Sequence, residues 1–408
     1  MAATTVSVPF YGWRVVGAAF VLAMFGWGVG FYGPPVFLHA VREARGWPVA
    51  MISAAVTVHF LVGAVVVANL PRLYRRFGVP AVTRAGAVAL ALGVAGWAAA
   101  VEPWQLFAAT LASGAGWVAM GAAAINAIVA PWFVRGRPAA LAMAYNGASI
   151  GGVVFSPLWV AGIAAIGFPA AAAAVGVVMV AVVWGLAGGI LARTPEGMGL
   201  AADGDPSPAA ASPAVASRAP VTGSLRRDVR FVTLAAGMAL GLFAQIGLIA
   251  HLFSLLVPAL GAPAAGLAMG GATAAAIAGR TLVGWTMPAG ADRRLVACAS
   301  LAVQAAGSLA LLLAAGSEVT LLLAGVLLFG AGIGNATSLP PLIAQAEFPP
   351  GEGARVVALI VALAQGAYAF APAAFGLIRE LDPAAVFAVA ALVQGLAIAA
   401  FLAGRRHT

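Results

Sequence analysis

Arg280 is the first residue whose placement calls for a chemical explanation. It stands inside an apolar stretch, between Ala274-Ala275-Ala276-Ile277-Ala278-Gly279 and Thr281-Leu282-Val283-Gly284-Trp285. A charged side chain at the centre of a membrane helix costs from about 2.5 to over 10 kcal/mol, depending on how the bilayer deforms around it. It must therefore find a partner or face a water-filled cavity. The twelve acids lie at Glu43, Glu102, Glu196, Asp203, Asp205, Asp228, Asp292, Glu318, Glu347, Glu352, Glu380 and Asp382, each between apolar stretches or at the end of one. None is an evident internal counter-ion. An anionic ligand is the favoured partner, because the planar guanidinium fork matches a carboxylate bidentately. The competing reading is structural, with Arg280 reaching to the end of its helix or bonding backbone carbonyls.

Two other ionisable groups fall inside apolar stretches, His59 and His251. Histidine titrates near neutral pH, so either is a candidate proton carrier. The alternative is a neutral ring bonded to a neighbouring helix. His39 falls near a stretch end and reads as interfacial. The neutral polar residues at the same depth are Asn126, Tyr145, Asn146, Gln245, Asn335, Gln365 and Tyr368. Most such residues bond one helix to another. No His-Glu-x-x-His, no paired acids and no Cys/His set occurs in the apolar stretches, so an enzyme is not expected, nor any metal or cofactor. Neither is an ATP-driven pump, since the Gly-x-x-x-x-Gly-Lys-[Ser/Thr] loop is missing and the chain contains no lysine. The single cysteine, Cys298, excludes an intrachain disulfide.

The elements that hold these groups follow from composition. Of 408 residues, 63% are hydrophobic and 8% charged, against about 25% charged in a soluble domain, so lipid is the solvent for most of the chain. Twelve apolar runs are long enough to cross a bilayer, at about 15–38, 49–70, 81–101, 104–130, 139–163, 169–192, 231–257, 264–287, 295–315, 319–346, 355–379 and 384–404. They must be helices, because an open sheet would leave backbone groups unpaired in hydrocarbon. The first is too long for the apolar core of a signal peptide and is read as span 1. The net charge of +9 then resolves into topology. With the termini inside, seventeen of 21 arginines fall in inside segments, three outside (Arg42, Arg45 and Arg379), and Arg280 lies within span 8. That bias places both termini in the cytoplasm and removes nucleic acid as a partner.

The polar stretch 193–230, with its Pro/Ala/Ser run from Pro206 to Pro220, has the composition of a flexible linker. It separates a first bundle of six spans (1–192) from a second (231–408). An offset of about 217 residues relates the two. Pro71 and Arg76 map onto Pro288 and Arg293, the Gly114-Ala115-Gly116 triplet onto the Gly330-Ala331-Gly332 region, and Asn146-Gly147 with Pro157 onto Gln365-Gly366 with Pro372. Parallel repeats of six spans about an axis along the membrane normal are one transporter architecture. Glycine-rich runs in spans 1 and 5 allow close helix packing, and Pro34-Pro35 and Pro157 are expected to kink their helices. Trp13, Trp27, Trp47, Trp104 and Trp132 fall near span ends, as an aromatic belt would place them.

These features resemble the major facilitator superfamily over essentially the whole chain. The family's Gly-x-x-x-Asp-Arg-x-Gly motif between helices 2 and 3 corresponds to Pro71-Arg72-Leu73-Tyr74-Arg75-Arg76-Phe77-Gly78, and its repeat between helices 8 and 9 to Pro288-Ala289-Gly290-Ala291-Asp292-Arg293. Both copies have Pro for the leading Gly, and Arg75 replaces the first acid. The resemblance implies an all-α fold of 12 transmembrane helices in two bundles, and a cytoplasmic latch involving Arg75, Arg76, Asp292 and Arg293. Tyr11-Gly12-Trp13-Arg14, Trp132 to Ala142, Asn146 to Gly152 and Gly279-Arg280 are similar to the monocarboxylate transporter and oxalate/formate antiporter branch. In that branch the helix 8 Arg binds substrate carboxylate. Ala276 stands where an Asn or Asp is common, and the helix 11 Lys of the oxalate/formate members is missing. The family cavity, lined by helices 5, 7 and 11, makes Tyr145, Asn146, His251, Gln365 and Tyr368 candidate substrate contacts, and Asn126 of span 4 is a further candidate. The expected function is secondary active transport of a small organic anion, a monocarboxylate, by alternating access with proton coupling or anion exchange. The alternative is an exporter of drugs or neutral metabolites in which Arg280 is structural. A monomer in a bacterial-type inner membrane is expected.

Overall fold

The computed structural model describes residues 10–204, 225–288 and 290–405. Among them every regular element is helical. The transmembrane helices are α1 (Gly12–Arg45), α2 (Val49–Phe77), α3 (Val79–Ala99), α4 (Pro103–Trp132), α5 (Arg137–Ile166), α6 (Phe168–Gly189), α7 (229–260), α8 (262–286), α9 (Arg293–Leu313), α10 (Val319–Glu347), α11 (350–381) and α12 (Ala385–Arg405). Each expected span is present, and most extend several residues further at one end.

Glycine and proline set the boundaries. α7 and α8 run on as one 58-residue helical stretch broken only at Gly261, where φ is 73° and ψ 159°. Gly78 and Gly167 have almost the same conformation, and in all three cases a proline follows two residues later (Pro80, Pro169, Pro263). Only glycine adopts this region readily, and proline is favoured in the first turn of the next helix. α1 breaks at Phe31-Tyr32 and restarts at Gly33, ahead of Pro34-Pro35, while Pro157 is accommodated within α5.

The first six helices pack among themselves, as do the last six, and the same contacts recur in both sets. Gly28 of α1 faces Phe155 of α5 with no room for a Cβ; Gly247 of α7 faces Phe375 of α11 in the same way. Gly93 of α3 lies on the Ser113 amide of α4, and Gly307 of α9 on the Phe329 amide of α10. These pairs give the 217-residue offset a packing meaning. Residues 10–12, 190–204, 225–228 and Arg405 share one end of the molecule, here called the terminal face, and the opposite end is the far face.

Three features differ from the sequence expectation. The start of the expected flexible linker is folded: residues 193–204 form two 3₁₀ turns, Glu196–Met198 and Ala202–Gly204. The Asp203 carboxylate, 12% exposed, accepts the backbone N–H groups of Val134, Arg135 and Gly136 at 2.8–3.2 Å and so ties this segment to the α4–α5 loop. Asp205 and the Pro206–Pro220 run lie outside the described residues, as do Arg218, Ala289 and Arg406. Trp132 is buried against Phe10 and Tyr11 and belongs to no aromatic belt, whereas Trp13 and Trp104 are exposed at helix ends. Arg379, expected in an outside segment, is buried in α11.

Candidate functional site

Arg280 projects between the two sets of helices. Gly330 and Gly334 of α10 have no Cβ to keep α8 away, so α10 lies directly on the Ala272 and Ala276 carbonyls, and the Arg280 side chain passes over Gly334. Its Nε is sealed from solvent and makes no hydrogen bond, and among the described residues no carboxylate pairs with it. Two turns away on the same face of α8 is Thr273, which packs with Tyr32 of α1 against Gly152 of α5. Tyr32 and Arg280 are close enough to feel each other electrostatically. Tyr32 begins an unbroken series of ring contacts: to Phe31 at 5.0 Å, from Phe31 to Phe60 of α2 at 6.0 Å, and from Phe60 to Tyr368 of α11 at 6.1 Å. Trp117 of α4 adjoins Phe31 and Phe60, its indole N–H buried without an acceptor. One unpaired cation with a neighbouring hydroxyl therefore sits at the head of an aromatic wall built from both sets.

The remaining candidates divide by location. The Asn126 amide donates to the Tyr145 hydroxyl, which donates to the Ala122 carbonyl at 3.0 Å, joining α4 to α5. Asn146 is exposed on α5, and Gln365 is half-buried on α11. His59 is enclosed in the first set. Its Nε2–H donates to the Gly30 carbonyl at 2.9 Å, which leaves Nδ1 to accept from Ser113 at 2.9 Å. Gln245 belongs to a buried knot in which the Gln304 amide donates to Gln245 and the Gln394 amide donates to Gln304, linking α7, α9 and α12. Asn335 is buried in the second set, its Oδ1 without a partner.

His251 stands toward the far face. Nε2 lies 3.1 Å from the Pro372 carbonyl and must be protonated to donate to it, so Nδ1 carries the lone pair. That lone pair faces Nη1 of Arg379 at 3.4 Å, and Arg379 also donates to the Ser254 hydroxyl. Arg379, Ser254 and Tyr32 have no sequence signal as site residues: by its position Arg379 counts among the outside arginines, and Ser254 and Tyr32 carry no charge or motif within their apolar runs.

Contacts that join the two sets gather at the far face. The Ala50 amide donates to Glu380 at 2.9 Å, the Ala373 amide donates to Thr57 at 3.1 Å, and His39 of α1 meets the Phe253 ring of α7 at 5.3 Å. At the terminal face, the expected latch residues make bonds within the second set. Asp292 caps α9 through the amides of Arg294 and Leu295 and accepts from Arg405, while Arg293 donates to the Leu342 carbonyl at 2.8 Å. Burial works to raise the Asp292 carboxyl, but the Arg405 contact and the two amides outweigh it and hold it below the usual carboxylate range. Arg75 and Arg76 are exposed at the end of α2.

The described residues form twelve membrane helices in two six-helix sets joined along a central seam, and the sequence matches one family profile, the Major Facilitator Superfamily, over residues 16–372. The chain belongs to the Major Facilitator Superfamily. It is an integral membrane protein with a transporter fold. Among solved structures, this superfamily member is similar to the nucleoside transporter NupG (TM-score 0.73, 13% identity, covering 98% of this chain and 100% of that one). It is also similar to a D-xylose–proton symporter (0.70, 13%, 95% and 97%). A third likeness is to a bacterial homolog of the human lysosomal transporter Spinster in an inward-facing, occupied conformation (0.67, 13%, 98% and 98%). At such identities the likeness is one of fold. No curated protein matches by sequence.

Proposed function

We propose that this superfamily member is a secondary active transporter of a small organic anion, with Arg280 as the carboxylate-binding group. The observation that carries the reading is the unpaired guanidinium on the seam between the two helix sets. An internal counter-ion would make Arg280 structural; without one, a substrate carboxylate provides the missing charge, with Tyr32 as an added donor. The aromatic wall suits an apolar body behind the carboxylate, and a single cation at the seam suits a monocarboxylate. Tyr368 and Gln365 on α11, and Asn126, Tyr145 and Asn146 on α4 and α5, are the further substrate contacts. Residues 1–192 and 231–408 move as two bundles joined by 193–230.

The far-face contacts close one entrance, and the arginine bias makes the terminal face the cytoplasmic one in a bacterial-type inner membrane. Opening the far face would separate Glu380 from Ala50 and Thr57 from Ala373. In the opposite state, Asp292 meets Arg75 and Arg76 to close the cytoplasmic side, with Arg293 held on the Leu342 carbonyl beside it. His251 is the proton carrier of choice: its Nδ1 lone pair becomes free if Arg379 swings away, whereas both His59 nitrogens are bonded within one bundle. Uptake by proteoliposomes of labelled monocarboxylates and dicarboxylates, with and without a pH gradient, tests the reading. Saturable monocarboxylate uptake that Arg280→Gln lowers by about tenfold or more is expected. Unaltered uptake in Arg280→Gln, or transport of neutral solutes alone, overturns it.

A further inference from the structure

Three guanidinium groups gather around the last turn of α6 at the terminal face. Arg84 of α3 lies against Gly188, its guanidinium 5.0 Å from the centre of the Trp184 ring, and its Nε is buried without a hydrogen-bond partner. Arg14 and Arg193 lie over the Tyr11 ring at 5.8 and 5.2 Å, and the Tyr11 hydroxyl donates to the Gly189 carbonyl at 3.3 Å. Among the described residues none of the three is paired with a carboxylate. Cations favour a helix C-terminus, yet here Tyr11 satisfies the Gly189 carbonyl and none of the three arginines hydrogen-bonds to the end of α6.

A groove of about 770 Å³ runs along the outer surface between α3 and α6, directly from this cluster toward the far face. Its walls include Ala91, Ala95, Ala172, Gly176, Val180 and Trp184, and Trp184 is the only lining side chain with a polar atom. The groove exists because small residues face one another here: Gly176 lies on Ala91, and no large side chain fills the space above them. Its position on the outward surfaces of α3 and α6 separates it from the Arg280 seam.

We propose that this surface binds one anionic phospholipid of the adjoining leaflet, its phosphate on Arg84 and Arg193 and one acyl chain in the α3–α6 groove. Guanidinium groups hold phosphate oxygens in bidentate fashion, and basic pockets between membrane helices take anionic headgroups. An acyl chain covers the apolar walls, and Trp184 sits at headgroup level, where aromatic residues are favoured. The site is independent of the transported substrate.

The test is lipid exchange on the purified full-length protein, read by native mass spectrometry and by melting temperature. The probes are dioleoyl phosphatidylglycerol, dioleoyl phosphatidylcholine and soluble glycerol phosphate. The expected result is at least tenfold preferential retention of phosphatidylglycerol over phosphatidylcholine, with a rise in melting temperature that glycerol phosphate does not produce. Arg84→Gln with Arg193→Gln should remove the preference. Ala181→Phe, placed on the exposed wall of the groove, should reduce phosphatidylglycerol retention with all three arginines intact. Equal retention of the two lipids by the unaltered protein overturns the proposal and requires no variant to fold. A phosphatidylglycerol preference that survives loss of both arginines, or a glycerol phosphate effect equal to that of the lipid, also overturns it.

Discussion

At the scale of single residues, what matters is which polar groups find partners. Arg294 is 1% exposed and fully engaged, bonded to Glu347 at 2.6 and 2.8 Å and to Thr233, Phe401 and Arg230. Arg280 has no such set. The two therefore predict opposite phenotypes. Removing a hydrogen bond to a charged group costs about 1.5–3 kcal/mol, and each 1.4 kcal/mol is tenfold. Arg280→Gln should thus lower carboxylate kcat/KM by about tenfold to hundredfold while leaving the melting temperature almost unchanged. Tyr32→Phe should raise KM a few-fold, as expected for losing one neutral donor. Glu347→Ala should instead cost about 3–5 kcal/mol of stability, the usual result of leaving one partner of a buried ion pair alone, as read by thermal unfolding.

At the scale of elements, close backbone contacts position the site. Gly334 is the clearest case, because a Cβ there would meet both the Ala276 carbonyl and the Arg280 side chain. Gly334→Ala should push α8 and α10 apart and raise KM for the anion more than it lowers expression, measured by transport per folded molecule. The Asp203 tether belongs to this scale too. Burial works to raise the Asp203 carboxyl, but the three amides and Arg135 prevail and hold it below the ordinary value. A depressed folded value means the tether is at full strength above about pH 4, the unfolded carboxyl range, and weakens as pH falls through the folded value. Hydrogen exchange at 134–136 should be faster in Asp203→Asn than in the unaltered protein at neutral pH. That difference should close as the pH is lowered below about 4.

For the whole molecule, alternating access as proposed would require the far-face bonds to break, so they are the place to test it. Ala373 to Thr57 is a single neutral hydrogen bond across the seam, worth about 0.5–1.5 kcal/mol. Thr57→Ala should raise the population open at the far face several-fold. Labelling of Ser53→Cys by an impermeant maleimide reports it, because Ser53 is fully buried against Gly376 when that face is closed. The same experiment in a Cys298→Ala background removes the one native thiol. An unchanged labelling rate would show that this bond contributes nothing to closure.

The sequence by itself determined the number of spans, their helical nature and the two-fold repeat, because a continuous apolar run of about 20 residues can satisfy its backbone in hydrocarbon only as a helix, whereas barrel strands are shorter and alternate. It also singled out Arg280, since a charge is conspicuous among apolar neighbours. It could not determine which polar residues meet. Gln245, Gln304 and Gln394 form one knot although they are far apart in the chain, and His251 is tied to Arg379 rather than to the Arg280 neighbourhood. Tyr32 carries no sequence mark and reaches the Arg280 neighbourhood only where α1 meets Thr273 of α8. The folded start of the linker was hidden for the same reason: Asp203 looks like any acid in a polar stretch until the α4–α5 loop presents three amides to it. Periodicity and hydropathy are local properties of the chain, whereas partnership depends on distances between segments, and only the packing of all twelve helices sets those distances.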